Sequence, residues 1–152
     1  MRKILLFSVF SAITLISCSS EDDHVDPTTP VNSVVGVWKP SVLKVYSGTN
    51  NSTVLSTENA DNCTKQSTYD FKSNGTVTAT DIVPGTGTGC VNLGSETFSY
   101  SYNATTKILN IDGDLFPVKT LTSGTFEFED VDYQQDYNND GIMDYLYVTL
   151  VK

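Results

Sequence analysis

Residues 96–121 read ETFSYSYNATTKILNIDGDLFPVKTL. In an extended chain this sets Phe98, Tyr100 and Tyr102 on one face and Ser99 and Ser101 on the other, a period of two that no helix presents. Asp112-Gly113 then supplies the positive φ values that a two-residue hairpin turn requires, and Phe116 opens the returning strand. The segment is therefore a run of antiparallel strands with one face on a core and the other toward water.

The same alternation extends in both directions. Strands are expected at 34–46, 53–58, 67–72, 76–82, 96–102, 107–111, 116–121, 125–133 and 144–151. Asn74-Gly75 reads as a second two-residue turn and Ser123-Gly124 as a slightly longer link. Phe126 and Phe128 oppose Glu127 and Glu129, which read as a solvated strand face. Beyond Pro30 no apolar repeat of three and four residues is long enough for a helix. The fold class is all-β, an antiparallel up-and-down meander of eight or nine strands. Closure into a barrel removes the unpaired edges, and a two-sheet sandwich is the competing architecture. Residues 82–93, IVPGTGTGCVNL, lack alternation and read as a long loop at a barrel rim.

The amino-terminal part follows other rules. Met1, Arg2 and Lys3 precede an apolar run from Ile4 to Ile16, about 13 residues where a spanning helix needs roughly 20. The run ends in Leu15-Ile16-Ser17-Cys18, which resembles the lipobox of bacterial lipoproteins. That resemblance implies a signal peptide over 1–17 and a diacylglyceryl group on Cys18, with the acyl chains holding the protein to a lipid bilayer. Residues 18–30 continue as CSSEDDHVDPTTP, too polar to bury a core, and read as a disordered tether. The run Glu21-Asp22-Asp23 is also similar to the surface-export signal of Bacteroidetes lipoproteins, so the expected place is the outer membrane, lipid-anchored and facing the cell surface. Residues 31–152 remain as one domain.

The whole chain has 18 acidic and 9 basic residues, and loss of Arg2 and Lys3 with the signal makes the balance more acidic still. Nucleic acid and anionic head groups are not its partners on that basis. With Cys18 lipidated, Cys63 and Cys90 remain as one pair in an oxidising compartment, which favours a disulfide. No oligomerisation feature is visible, and the domain is expected to be monomeric.

From Val34 to Lys152 the chain resembles the lipocalin-like domains of small Bacteroidetes lipoproteins. Gly36-Val37-Trp38 matches the G-x-W that opens lipocalin barrels, and Tyr69-Asp70-Phe71 followed by Asn74-Gly75-Thr76-Val77 is similar to the family's aromatic strand, turn and Thr-Val strand. Cys90 precedes the aromatic strand at Phe98, as in members with a paired cysteine. The resemblance implies an eight- or nine-stranded barrel whose closed end is plugged by Trp38. Lys152 would cover the indole where the family more often has arginine.

The one histidine, His24, lies in the tether, so no histidine-based nucleophile and no Cys/His zinc site can be assembled in the domain, and an enzyme is not expected. The sharpest local pattern is Asp136, Asn138, Asp140 and Asp144 with Gly141 between them. Those oxygens stand at positions 1, 3, 5 and 9 of an EF-hand-type loop, with the Ile142 carbonyl at position 7, and point to a structural Ca2+. Position 12 is Tyr147 rather than glutamate, so the segment resembles the isolated calcium loops of exported bacterial proteins, with Asp130, Asp132 or water completing the shell. No organic cofactor is implied. The leading functional expectation is a cup for a small apolar or amphipathic ligand. The alternative is a non-enzymatic surface lipoprotein that contacts a protein or a glycan.

Overall fold

Strand β1 (Gly36–Tyr46) is the seam of the molecule. The computed structural model describes residues 33–152, and the expected signal segment 1–17, Cys18 and the tether 18–30 lie outside the described residues. Along one edge β1 pairs with β9 (Tyr145–Val151) from Lys39 to Tyr46. Its other edge is shared in tandem: Gly36–Trp38 pair with β3 (Thr68–Phe71), and Val42–Tyr46 pair with β2 (Val54–Asn59). A 3-10 turn, Thr64–Gln66, joins those two partners. The meander continues through β4 (Thr76–Pro84), β5 (Cys90–Asn103), β6 (Ile108–Ile111), β7 (Asp114–Leu121) and β8 (Thr125–Asp130). The β1–β9 pairing closes eight strands into a barrel, and β2 is a ninth strand laid beside the upper half of β1. The sandwich alternative is thereby excluded.

Register determines which side chains enter the barrel, because cross-strand partners share a face. Trp38, Phe71, Val77, Leu109, Phe126 and Leu150 are fully buried on the inner face. Each such side chain contributes roughly 1.5–3 kcal/mol from burial. Phe126 ties the cluster together, its ring centroid 5.5 Å from Trp38 and 5.8 Å from Phe71 in tilted and edge-on contacts. Phe98, Tyr100 and Tyr102 are half-buried and pack against this cluster, so the aromatic row of the opening hairpin is a wall of the core.

Several local expectations are corrected. Residues 82–93 are not a long loop: Val83 pairs with Val91 and Pro84 with Cys90, so only 85–89 are left as a link. From Cys90 to Thr97 β5 is exposed on both faces, and a strand that buries neither face is under no pressure to alternate. Residues 131–133 belong to the loop after β8. Between β3 and β4 the link is four residues, 72–75, and only Gly75 takes a positive φ, 81°. Gly124 has no positive φ either; the Thr122 hydroxyl accepts the Gly124 and Thr125 N–H groups and forms that link instead. At Asp112 and Gly113 the φ values are 53° and 106°, the two-residue turn expected.

Candidate functional site

Links of an antiparallel meander alternate between the two ends of a barrel, so 72–75, 104–107 and 122–124 gather at one end and 47–53, 85–89 and 131–144 at the other. The first end is closed. Trp38 is 0% exposed, and its indole N–H donates to the Val34 carbonyl at 2.7 Å. The Lys152 ammonium lies 4.4 Å from the centre of a Trp38 ring and donates to the Val35 carbonyl at 3.0 Å. Gly36 takes φ 133°, and a Cβ there would stand 2.9 Å from Lys152 Cε, so a side chain would be strained as well as crowded.

The other half of the inner face is not filled. Tyr69, paired with Trp38 and Ala79, stands between two chambers. One, of about 320 Å³, runs under the β2 flank and is lined by Pro40, Leu43, Glu58, Asp61, Tyr69 and Val148 among others. Its neighbour, of about 430 Å³, is lined by Tyr69, Ala79, Asp81, Glu96 and Phe98, with Leu93 and Gly94 at the rim. Burial, and then the charge of Asp81, hold the Tyr69 hydroxyl above its ordinary pKa. Of these residues sequence reasoning singled out only Phe98, in the aromatic row of β5, and Tyr69, as part of a family-like hairpin, and neither as a chamber wall; the signal available was Tyr69, Ala79, Glu96 and Phe98 falling at alternate positions of paired strands.

The wall between the chambers is stapled. The Cys63–Cys90 disulfide joins the β2–β3 connection to the start of β5. Ser67 Oγ accepts the Ile82 N–H at 2.8 Å and donates to the Ile82 carbonyl, fixing the same connection to β4. Asp61 caps the 3-10 turn through the Cys63 and Thr64 N–H groups, and its carboxyl is held below the usual range first by the Thr64 hydroxyl and then by these N–H bonds.

In the link between β8 and β9, Asp136 accepts the N–H groups of Asp140 (3.0 Å) and Gly141 (2.7 Å), and Asp140 accepts that of Ile142 (2.9 Å) and the Asn138 amide. Asp136, Asn138 and Asp140 are thus gathered at one tip. Asp144 is elsewhere engaged: 3% exposed, it accepts the Gly48 N–H at 2.8 Å and the Tyr137 N–H at 2.7 Å, locking this loop onto the β1–β2 link. Among the described residues no three of the His, Cys, Asp and Glu side chains form a group able to hold a metal ion.

A family model described as a lipocalin-like domain matches residues 34–128. The chain belongs to the lipocalin-like domain family. No curated protein and no solved structure matches it. The match begins at Val34, which caps the Trp38 indole, and ends at Phe128, so Trp38 and the β4 and β5 walls of the 430 Å³ chamber fall within it, whereas Lys152 lies beyond it.

On the outer face of this lipocalin-like barrel lies a second buried region that the alternation pattern did not disclose. Glu127 pairs with Thr149, opposite in facing to Phe126 and Leu150, yet it is 4% exposed rather than solvated. Its carboxylate accepts the Lys44 ammonium at 3.1 Å, the Tyr46 hydroxyl at 3.0 Å and the Thr120 hydroxyl at 3.2 Å. Lys44 is desolvated, which lowers its pKa, but Glu127 outweighs this and raises it; Tyr46 is raised by burial and then by Glu127. Alongside, Lys119 sits over the Tyr46 and Tyr147 rings at 4.1 and 4.9 Å and donates to the Asn51 carbonyl at 2.5 Å. Tyr147 donates to Glu129, and burial pushes its hydroxyl up to about 12. These bonds bind β1, β7, β8 and β9 to the β1–β2 link from outside and contribute to the rigidity of that side of the barrel, whose β1 and β9 inner faces line the 320 Å³ chamber.

Proposed function

We propose that this protein is an exported lipoprotein, anchored by acyl chains on Cys18, whose lipocalin-like barrel holds a small amphipathic ligand in the chambers on either side of Tyr69. One observation carries the ligand reading: the inner face is solidly packed around Trp38 and Phe126 but leaves about 320 and 430 Å³ beside Tyr69, in the range of small-ligand cavities.

All nine strands lie within the described residues, so the chain from Ser19 onward keeps the whole barrel and is free of lipid. Saturable fluorescence enhancement of the neutral apolar probe N-phenyl-1-naphthylamine by that chain, lost on Ala79→Trp with the fold retained by circular dichroism, is the expected result. Absence of saturable binding would overturn the reading. For the anchor, incorporation of radiolabelled palmitate into the expressed precursor and its loss on Cys18→Ser is the test.

The loop 136–144 is part of the same proposal. Asp136, Asn138 and Asp140 converge at its tip, and each carboxylate retains acceptor capacity beyond its N–H bonds, which supports a weak structural Ca2+ site completed by the Ile142 carbonyl and water, with Asp144 bracing the loop from below instead of ligating. A rise in melting temperature in millimolar Ca2+ that Asp140→Ala abolishes is expected; equal melting temperatures with and without the ion would remove it.

A second reading, as a surface interaction module, is favoured by β5. From Cys90 to Phe98 that strand pairs with β4 alone among the described residues, and Val91 and Leu93 on it are 47% and 66% exposed. Such an edge can accept a partner's strand.

A further inference from the structure

Resting on the ligand reading above, we infer that the amphipathic ligand of the chambers carries a cationic head group, an amine, and that Asp81 and Glu96 receive it. The argument begins with register. On β4 the inner face runs Val77, Ala79, Asp81, and on β5 it runs Phe98, Glu96, Gly94, because Val77 pairs with Phe98, Ala79 with Glu96 and Asp81 with Gly94. Val77 is 2% exposed, so its row faces the core. The same two strands place threonines and serines on the outer face, where Thr78 bonds Thr97 and Thr80 bonds Ser95. Toward the mouth the alternation therefore departs from its usual sense: the inward positions carry charge and the outward ones are neutral.

The charge is of one sign. Glu58 also stands on the inner face, since it pairs with Leu43, which in turn pairs with Val148 of β9. No lysine or arginine lines either chamber. Glu58, Asp81 and Glu96 have no hydrogen-bond or salt-bridge partner among the described residues, whereas Glu127 on the outer face has three and Asp61 is occupied in capping. All three residues are exposed to solvent.

The geometry thus combines an apolar floor of Tyr69, Ala79 and Phe98 with unpaired carboxylates above it. Apolar tail and cationic head are matched by floor and rim respectively, and the aromatic faces of Tyr69 and Phe98 add to the attraction for an ammonium group. A carboxylate head would meet the like charge of Asp81 and Glu96.

Three ligands of equal tail and different head separate this from the reading it rests on: 1-octanol, octylamine and octanoate, each displacing N-phenyl-1-naphthylamine from the chain beginning at Ser19. Octylamine is expected to bind about tenfold more tightly than octanol, and octanoate more weakly than either. In the near-isosteric Asp81→Asn/Glu96→Gln variant the octylamine advantage should vanish while octanol affinity stays put, and added salt should erode the first but not the second. Octanol binding with no preference for octylamine, or a preference that survives the double substitution, would overturn the head-group assignment and leave the cavity reading intact. Failure of all three to displace the probe, or of the probe to bind, would overturn both.

Discussion

Replacing Glu127 by alanine should destabilise the domain by about 3 kcal/mol, although the residue sits on the outward face of a strand. The size follows from its surroundings. The substitution removes three hydrogen bonds, at 3.0 to 3.2 Å, and strands the hydroxyl of Tyr46, which is only 6% exposed. A buried hydroxyl left without an acceptor costs about 1–3 kcal/mol. Lys44 loses its ion-pair partner, but its side chain is 29% exposed and can be hydrated, which limits that part to about 1 kcal/mol. Glu127→Gln, which keeps an acceptor oxygen for Tyr46, should cost roughly 1 kcal/mol. Urea unfolding followed through Trp38, the one tryptophan and fully buried, reads these differences directly. The alanine variant should also lose about 10 °C in melting temperature. A double-mutant cycle with Lys44→Met should return a coupling of roughly 1 kcal/mol. A change within about 0.5 kcal/mol for Glu127→Ala, the value of an ordinary solvated side chain, would refute the reasoning.

Reducing the Cys63–Cys90 bond, with its sequence separation of 27, should lower unfolding free energy by about 3–4 kcal/mol, measured by urea titration with and without reductant. Gly36→Ala should cost about 1–2 kcal/mol through its φ of 133°, with a change in Trp38 emission as Lys152 is displaced from the indole; thermal melts and emission spectra check both. Gly48→Ala would drive a Cβ into the Met143 carbonyl and break the Gly48–Asp144 bond, so faster amide exchange at Gly48 and Tyr137 is expected by NMR. At alkaline pH the folded Tyr147 holds its proton up to about 12 against 10.0 unfolded, so the stability it contributes is complete below pH 10 and is lost as pH rises toward 12, at most about 1.4 kcal/mol per pH unit; Tyr147→Phe should flatten that segment of the pH–stability curve.

The sequence by itself determined the fold class, the strand faces that form the core, and the two-residue turn at Asp112-Gly113, because a period of two and a positive-φ dipeptide are local properties of a chain. It also named Cys63 and Cys90 as partners by elimination, a matter of counting. Tertiary structure alone decided the rest. A strand exposed on both faces, such as Cys90 to Thr97, leaves no hydrophobic period to read. Glu127 is buried because Lys44, Tyr46 and Thr120 arrive from β1 and β7, up to 83 residues away in sequence, and no local pattern encodes that meeting. The chambers depend on closure as well: Tyr69 parts them only because β3 and β2 share an edge of β1, and Asp81 and Glu96 share a mouth only because β4 and β5 hold register past the point where their alternation ceases to be apolar. Periodicity assigns a residue to a face; only the closed barrel determines what that face encloses.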